Sequence, residues 1–274
     1  MRWSTIRRMS KDEIKHIVQT CLPEPGMAEI GVKGVRLFHV NESVRCAPAV
    51  YEPTVVAIVN GSKEAILDGR RYVYDSDRYL CCPMPLPVEA GTPLASPDSP
   101  LLGVKLTLDT RVMTNLVLTI ERAGTSQVDG TPAPGLTLAR WDDAFTDALL
   151  RLVRLSEPEA EVLGEGRVRE FYYAVLSGEA GAAARRAFGV GNGVARAIEY
   201  LAARLDKPVT IDDLATRVGM SRAVFHRRFK EATTQSPIQF VKAMRLNEAA
   251  MRIAGGTTVS EAAIDVGYTS TSQF

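Results

Sequence analysis

The residue types best suited to chemistry in this chain lie on a short basic helix that is predicted to begin after Ser221. Its outward positions carry guanidinium, imidazole and ammonium groups, which bind phosphates and the edges of bases. A helix with a small or polar amino-terminal face and basic flanks fits the major groove of DNA. The simpler alternative is an amphipathic helix whose basic face is only solvated. The outward residues are Arg222, Ala223, His226, Arg227 and Lys230.

The residues around this helix favour DNA reading over the simpler alternative. Thr210 is a good N-cap for a preceding helix, and acidic residues follow in its first turn. Gly219 ends that helix, and Ser221 caps the basic one. Two helices at this spacing around a glycine turn predict a helix-turn-helix unit. The apolar face of the basic helix is formed by Val224, Phe225 and Phe229.

The carboxyl-terminal part reads DDLATRVGMSRAVFHRRFKEATTQSPIQFVKAMRLNEAA, followed by VSEAAIDVGYTSTSQF. It resembles the DNA-binding domain of the AraC/XylS family of bacterial transcription regulators. That resemblance implies two helix-turn-helix units joined by a linker helix, here about Pro237–Ala254, with the second unit starting at Val259.

The resemblance also assigns roles to single residues. The family pattern makes Arg222, Arg228 and Lys230 candidates for phosphate contacts or solvated charge. It implies base-facing positions in both units: Ala223, His226 and Arg227 in the first, Thr271 and Ser272 in the second.

The family pattern continues beyond Phe274, where this sequence stops about one turn into the second recognition helix. We therefore expect an incomplete second helix-turn-helix, because a helix this short is not stable alone. We also expect that Ile264 and Val266 are poorly buried and that DNA binding is weakened.

Residues 34–108 alternate apolar and polar positions in short runs, separated by turn signals such as Asn60-Gly61 and Asp68-Gly69. Short antiparallel strands at this spacing predict a small barrel or sandwich. The segment YEPTVVAIVNGSKEAILDGRRYVYDSDRYLCCPMPLPVEA resembles the cupin-like sensor domain of some AraC-type regulators. The predicted fold class is therefore α+β, with a small antiparallel cupin-like β-barrel followed by helices and an all-α helix-turn-helix domain.

Three parts are predicted along the chain: a sensor and dimerisation domain (1–188), a glycine-rich hinge (189–193) and a DNA-binding domain (194–274). Helices after the barrel have more apolar surface than the barrel needs, and the family resemblance implies that they pair two protomers as a homodimer. The alternative is that they pack only on their own barrel. These helices are predicted at Asp109–Arg122, Trp141–Ser156 and Val168–Leu176.

Arginines in or beside the strands suggest an anionic small-molecule effector, because guanidinium groups bind phosphate and carboxylate in bidentate fashion. The fragments 41–43 and 60–62 partly resemble an element of cyclic di-GMP-binding PilZ domains, so cyclic di-GMP is one candidate. Solvated arginines and an ordinary Asn-Gly turn are the alternative, and a ligand-independent regulator whose barrel only dimerises remains open. The candidate effector residues are Arg7, Arg8, Arg36, Arg45, Asn60 and Ser62.

An enzymatic or metal-binding role is disfavoured. Of the three histidines only His39 lies in the predicted barrel, and one histidine cannot build the multi-histidine site of a cupin metalloenzyme. No catalytic motif or nucleotide-cofactor motif is present, and no cofactor is expected. Cys21, Cys46, Cys81 and Cys82 lack metal-ligand spacing and are interpreted as reduced thiols, with redox sensing by the vicinal pair as the alternative.

Composition agrees with two soluble domains. The 274 residues are 46% hydrophobic and 24% charged, with a net charge of +1. Residues 194–274 contain 11 Lys and Arg and 8 Asp and Glu, whereas the rest of the chain contains 22 Lys and Arg and 24 Asp and Glu. No segment is long and apolar enough for a transmembrane helix, and the amino terminus lacks the apolar run of a secretory signal. We therefore expect a cytoplasmic protein whose partners are double-stranded DNA and a small effector.

Overall fold

The computed structural model describes residues 2–123, 135–189 and 192–268, with side chains from residue 9 onward. The first half of the chain folds into two antiparallel sheets that face each other. One sheet has six strands in the order β1-β2-β9-β4-β7-β10, and the other has four in the order β3-β8-β5-β6. The strands are β1 (Gly26–Glu29), β2 (Val35–Val40), β3 (Val44–Tyr51), β4 (Thr54–Asn60), β5 (Ser62–Leu67), β6 (Arg70–Asp75), β7 (Arg78–Cys82), β8 (Leu86–Thr92), β9 (Leu101–Thr107) and β10 (Thr137–Arg140).

Helices precede and follow the sheets, so the predicted α+β class is confirmed, with the barrel built from two sheets. The helices are α1 (Arg2–Cys21), α2 (Thr110–Arg122), α3 (Asp143–Val153), α4 (Glu157–Ser177), α5 (Gly181–Phe188), α6 (Gly193–Ala202), α7 (Ile211–Arg217), α8 (Arg222–Thr233), α9 (Pro237–Ala254) and α10 (Val259–Asp265).

The predicted hairpin turns are present. Asp68 and Gly69 have φ of +50° and +75° between β5 and β6, which is the geometry of the tight turns that favour Asp-Gly. Gly61, between β4 and β5, has φ of +78°. A Cβ at Gly61 would also lie 3.2 Å from the Cα of Leu101, so both conformation and space favour glycine there.

Helices cover one face of the six-stranded sheet. Ile14 and Val18 of α1 are fully buried against it. Beside α1, an aromatic cluster joins the sheet to α3 and α4: the ring of Phe145 stacks on Tyr79 at 4.0 Å and lies 5.1 Å from Phe171. This helical layer leaves the opposite face of the sheet to line the space between the two sheets.

One prediction about connections falls partly outside the described residues. The hinge predicted at residues 189–193 is described only at Gly189, Asn192 and Gly193. Asn192 caps α6, accepting a hydrogen bond from the Ala195 amide at 3.2 Å, and Gly193 is already helical. A Cβ on Gly193 would lie 2.8 Å from the Cβ of Val218, so this glycine allows α6 to approach the turn after α7.

Candidate DNA-reading helix and sensor site

The first helix-turn-helix forms as predicted. The Thr210 hydroxyl caps α7, accepting from the Asp213 amide at 3.1 Å, while the Asp213 carboxylate accepts from the Thr210 amide. Gly219 makes the turn with φ of +69°, a left-handed conformation that glycine adopts without strain. Ser221 then caps α8 by accepting from the Val224 amide.

Three phenylalanines hold α8 in place. Phe225 and Phe229 are at most 1% exposed, and their ring centroids lie 5.4 Å apart. Phe229 meets Phe240 of α9 edge to face at 5.2 Å. Because one face of α8 is anchored in this way, its opposite face has a fixed orientation toward solvent.

The residues predicted to read DNA lie together on this exposed face. Arg222, Ala223, His226, Arg227 and Lys230 are all exposed. Arg222 also forms an ion pair with Asp212 of α7, with Nη1 3.0 Å from Oδ2. Within the described part of the chain Arg227 makes no ion pair or hydrogen bond, so its guanidinium is available to an external anion or base.

The second unit agrees only partly with expectation. Thr258 caps α10 in a capping box with Glu261, and Gly267 turns the chain with φ of +91°. Ile264 is 62% exposed, as expected, whereas Val266 is fully buried. The expectation for Val266 was wrong because Ala249 of α9 and Ala262 supply a small apolar cluster for it. Thr271 and Ser272 lie outside the described residues.

A cationic feature of the DNA-binding domain was not predicted. The guanidinium carbons of Arg204 and Arg217 lie 4.2 Å and 3.9 Å from the ring centroid of Tyr200 in α6. This cation–π pair stiffens the end of α7, next to the turn that leads into α8. Arg217 lies on a different helix from Tyr200, far along the chain, so its contact with the ring gives no local sequence signal.

The predicted effector residues are dispersed. Arg36 lies on β2 and is ion-paired with Glu29 at 3.3 Å, whereas Arg45 is exposed on β3 of the other sheet. The Asn60 side chain is already used: it accepts from Lys15 at 2.8 Å and donates to the carbonyl of Pro100 at 2.6 Å. Ser62 begins β5. The side chains of Arg7 and Arg8 lie outside those described.

The space between the sheets contains two lysines that sequence reasoning missed. Lys105 on β9 lies directly opposite Arg36 on β2 and Val56 on β4. The three side chains therefore share one face of the six-stranded sheet. Lys63 pairs with Tyr74 on β5 and β6 of the four-stranded sheet. Both lysines are half-buried, and the charge of Lys105 acts on Lys63.

The interior lysines Lys63 and Lys105 have unusual charge environments. Burial, and secondarily the charge of Lys105, lowers the pKa of Lys63 to about 8. Burial and the nearby Arg36 also lower the pKa of Lys105, while Glu52 and Cys82 act in the opposite direction. Among the described residues no carboxylate pairs with Lys63. Both ammonium groups are half-buried, and the Glu52 carboxylate offsets part of the charge of Lys105.

Aromatic hydroxyls complete this interior. The Lys63 ammonium lies 5.9 Å from the ring centroid of Tyr51, and the Tyr51 and Tyr74 hydroxyls are hydrogen-bonded at 3.1 Å. Burial raises the pKa of Tyr51 to about 12, so this hydroxyl stays neutral and can donate a hydrogen bond. The interior thus combines cations, hydroxyl groups and aromatic surface, which suits an amphipathic anion.

Other chemistry has weaker support in the described residues. No cluster of three or more His, Cys, Asp or Glu side chains that could hold a metal is found there. Burial raises the pKa of Cys81 to about 12 and that of Cys82 further, which disfavours reactive thiolates in the vicinal pair. No helix in the described ranges is long and apolar enough to cross a membrane.

An open cavity of about 390 Å³ lies in the DNA-binding domain, between the start of α7 and α9. Its charged groups are Lys242 and Arg245. Arg245 already donates to the carbonyls of Leu205 and Lys207, at 3.0 Å and 3.1 Å.

Comparison with known families decides the identity. Residues 31–183 match the AraC-type transcriptional regulator N-terminus, and residues 214–274 match a helix-turn-helix domain. The chain belongs to the AraC-type transcriptional regulators. No curated protein gives a significant match to this regulator.

Solved structures of ToxT from Vibrio cholerae share the fold of this AraC-type regulator. One matches with a TM-score of 0.53 and 11% identity, covering 88% of this chain and 91% of that chain. A ToxT structure with a bound unsaturated fatty acid matches with a TM-score of 0.52, 10% identity and coverage of 92% and 91%. A third, bound to (E)-4-(8-methylnaphthalen-1-yl)but-3-enoic acid, has a TM-score of 0.50, 11% identity and coverage of 88% and 92%. At such identities the likeness establishes the fold alone.

Proposed function

We propose that this regulator binds a small carboxylic acid between its two sheets and that binding controls DNA recognition by α8. In this proposal residues 1–188 form the sensor domain, residues 194–274 form the reader domain, and 189–193 connect them. The observation that carries the proposal is the pair of half-buried lysines, Lys63 and Lys105, one on each sheet, with the Lys63 ammonium 5.9 Å from the ring centroid of Tyr51. A bound carboxylate would pair with these ammonium groups, and apolar and aromatic walls would hold the rest of an amphipathic acid.

The bound acids of the ToxT structures support this class of effector. Both ligands named for those structures are carboxylic acids with large apolar parts. Cyclic di-GMP is a weaker candidate, because Arg36, Arg45, Asn60 and Ser62 do not converge on one site. An anionic amphipathic acid agrees better with the placement of Lys63 and Lys105.

Effector binding is tested by calorimetric titration of the full chain with oleate, decanoate and cyclic di-GMP. Lys63→Met and Lys105→Met should each weaken binding of the favoured acid about tenfold or more, since each removes a charge-assisted contact. Lys33→Met, which removes an exposed lysine before β2, is the matched control and should bind like wild type. Equal affinity of wild type and both interior variants would contradict the proposed site.

DNA recognition is tested with a site selected in vitro by the wild-type protein. Arg227→Ala should lose about 1–3 kcal/mol on the selected site and little on unrelated DNA if Arg227 reads a base. Lys230→Ala should weaken binding to all sequences and reduce its salt dependence if Lys230 contacts a phosphate. Equal loss on every sequence for Arg227→Ala would instead make it a phosphate contact.

The competing function is a ligand-independent regulator whose sensor domain serves only to dimerise. It has one specific observation in its favour: α4 carries the exposed apolar residues Val162 and Tyr173, 80% and 53% exposed, about three turns apart on one face. We propose that this face pairs two protomers in either case. An acid that changes both the thermal stability and the DNA affinity of the dimer would favour the ligand-responsive regulator. An absence of both effects would favour the ligand-independent one.

A further inference from the structure

The linker helix α9 is docked on strands β3 and β8 of the sensor domain. The Asn247 side-chain amide donates to the carbonyls of Ala49 and Val88, both at 3.0 Å. Ala49 and Val88 lie directly opposite each other on the two strands. The Val50 amide donates to the Sδ atom of Met251 at 3.3 Å. These five residues are called the β3 dock below, and they join the sensor to the helix that links the two reader units.

The β3 dock holds a single peptide group of β3. The Ala49 carbonyl and the Val50 amide belong to the same planar peptide unit, so α9 binds both polar atoms of that unit. A change in the orientation of this one plane therefore alters both contacts at once. The hydrogen bonds of the β3 dock thus depend on how the end of β3 is held.

The same end of β3 borders the proposed effector site. Tyr51 is the last residue of β3 and directly follows the two residues of that strand that contact α9. Its ring centroid lies 5.9 Å from the Lys63 ammonium, and its hydroxyl is hydrogen-bonded to that of Tyr74 at 3.1 Å. The Tyr51 side chain is therefore held by residues of β5 and β6, whereas the preceding residues of its strand hold α9.

A second contact leads from this end of the strand pair to α8. Leu86, the first residue of β8, lies directly opposite Tyr51. The backbone of Gly135 packs closely on the Leu86 side chain, since a Cβ on Gly135 would lie 3.0 Å from Leu86 Cδ1. The Gly135 amide donates to the carbonyl of Ala232, in the last turn of α8, at 2.9 Å. The end of β3 and β8 that carries Tyr51 is therefore connected to both α8 and α9.

We propose that Tyr51 couples occupancy of the effector site to the β3 dock. A carboxylate that pairs with Lys63 draws this ammonium away from the Tyr51 ring and accepts the Tyr51 hydroxyl in place of Tyr74. The end of β3 then shifts, the hydrogen bonds of the β3 dock are weakened, and α9 tilts on the sheet. This inference rests on the proposed function for its trigger, but the link from Tyr51 to α9 can be tested without any ligand.

Tyr51→Phe in the full-length, ligand-free protein removes the hydrogen bond to Tyr74 and leaves both rings in place. Hydrogen exchange with mass spectrometry reports the β3 dock from peptides within α9, residues 237–254. We expect about fivefold faster exchange in these peptides, the lower end of typical coupling between sites. Tyr74→Phe removes the same bond from its other partner and should have the same effect. The double variant should add nothing further, because only one bond is shared.

Peptides of α3 serve as the internal control, because this helix packs on α1, α4 and β7. They should exchange as in wild type in both tyrosine variants. Wild-type exchange of α9 in both variants would overturn the proposal. Equal acceleration in α9 and α3 would also overturn it, because that result would mark a general loss of stability.

The coupling must also act in the reverse direction, because linkage between two sites is reciprocal. Asn247→Ala removes both hydrogen bonds from α9 to the sensor carbonyls. Since the acid is proposed to weaken the β3 dock, we expect this variant to bind the favoured acid about fivefold more tightly than wild type in calorimetric titration. Asn247 bonds only to backbone carbonyls on β3 and β8, so a purely structural role would leave the affinity unchanged.

Thr110→Val is the matched control for Asn247→Ala. It removes another hydrogen bond between sensor and reader, from the Thr110 hydroxyl to the Glu199 carboxylate of α6 at 2.7 Å. Thr110 begins α2 and lies outside the β3 dock, so this variant should bind the acid like wild type. Equal affinity of wild type and Asn247→Ala, or an equal gain in both variants, would overturn the coupling.

The same measurements separate this inference from the proposed function. If oleate and decanoate do not bind wild type but both tyrosine variants accelerate exchange in α9 and not in α3, the coupling through Tyr51 stands and the proposed effector class fails. If an acid binds wild type and Lys63→Met weakens its binding, but neither the acid nor the tyrosine variants alter α9 exchange, the effector site stands and the coupling fails.

Discussion

Replacement of Lys63 by methionine should stabilise this regulator while removing part of its effector site. Lys63 has an ordinary pKa of 10.5 in the unfolded chain and about 8 in the folded protein. At about 1.4 kcal/mol per pKa unit, keeping the ammonium charged in the interior at pH 7 costs up to about 3 kcal/mol of folding free energy. Methionine fills similar space without charge, so Lys63→Met should gain stability approaching this amount.

The pH dependence gives this prediction its sign. Between pH 8 and 10.5 the unfolded chain still holds the Lys63 proton, whereas the folded protein has released it, so rising pH favours the folded state. The penalty in wild type should therefore shrink by about 2 kcal/mol between pH 7 and 9.5, and the stability advantage of Lys63→Met should shrink with it. Other groups titrate in the same range, but they are common to both proteins and cancel in the difference.

Urea denaturation of both proteins at several pH values measures this difference directly. Lys33→Met is the control and should follow wild type at every pH. Parallel stability curves for wild type and Lys63→Met would refute the reasoning, because they would mean that Lys63 keeps its ordinary pKa in the folded protein. A carboxylate effector should restore the Lys63 charge, so its binding to wild type near pH 8.5 should be accompanied by proton uptake that is absent in Lys63→Met.

Three further substitutions test the packing on which these sites depend. Phe225→Ala should lower the free energy of unfolding by about 3–5 kcal/mol, measured by denaturant titration, because it empties a fully buried position under α8; a loss below about 1 kcal/mol would contradict this packing. Gly103→Ala should cost about 1–3 kcal/mol, because its methyl would overlap the Ala57 carbonyl oxygen and the Phe38 ring; unchanged stability would show that β4 and β9 can separate. Val162→Glu should convert a dimer into monomers in sedimentation experiments without loss of stability, and an unchanged dimer would exclude this face of α4.

The reader domain could be predicted from sequence because its signals are local. Thr210 and Ser221 are caps whose partners lie within three residues, and Gly219 needs a left-handed conformation. Such features depend on neighbouring backbone groups and are independent of tertiary structure. The burial of Val266 was missed because its partner Ala249 lies on another helix.

The interior lysines could not be found in the same way. Along β5 the residues at 63, 65 and 67 are Lys, Ala and Leu, and those at 62, 64 and 66 are Ser, Glu and Ile. Both alternating sets mix polar and apolar side chains, so the period of two does not reveal which set faces inward. The register of β5 with β6, which pairs Lys63 with the buried Tyr74, settles the question. Burial does not distinguish the two faces either, because Glu64 on the other face is also buried, at 7% exposed. Its carboxylate accepts a hydrogen bond from Arg71.

The placement of α9 suggests that control acts on the arrangement of the two reader units and leaves the chemistry of α8 unchanged. α9 has 18 residues, about 27 Å of rigid helix, and Asn247 attaches its middle to the sensor domain. A small tilt about that attachment moves the two units in opposite directions along DNA, whereas the exposed face of α8 keeps its own caps and phenylalanine anchors. Arg227→Ala should therefore weaken DNA binding equally with and without effector, and Asn247→Ala should reduce the effector response. An effector response lost with Arg227→Ala but retained with Asn247→Ala would place the control in α8 itself.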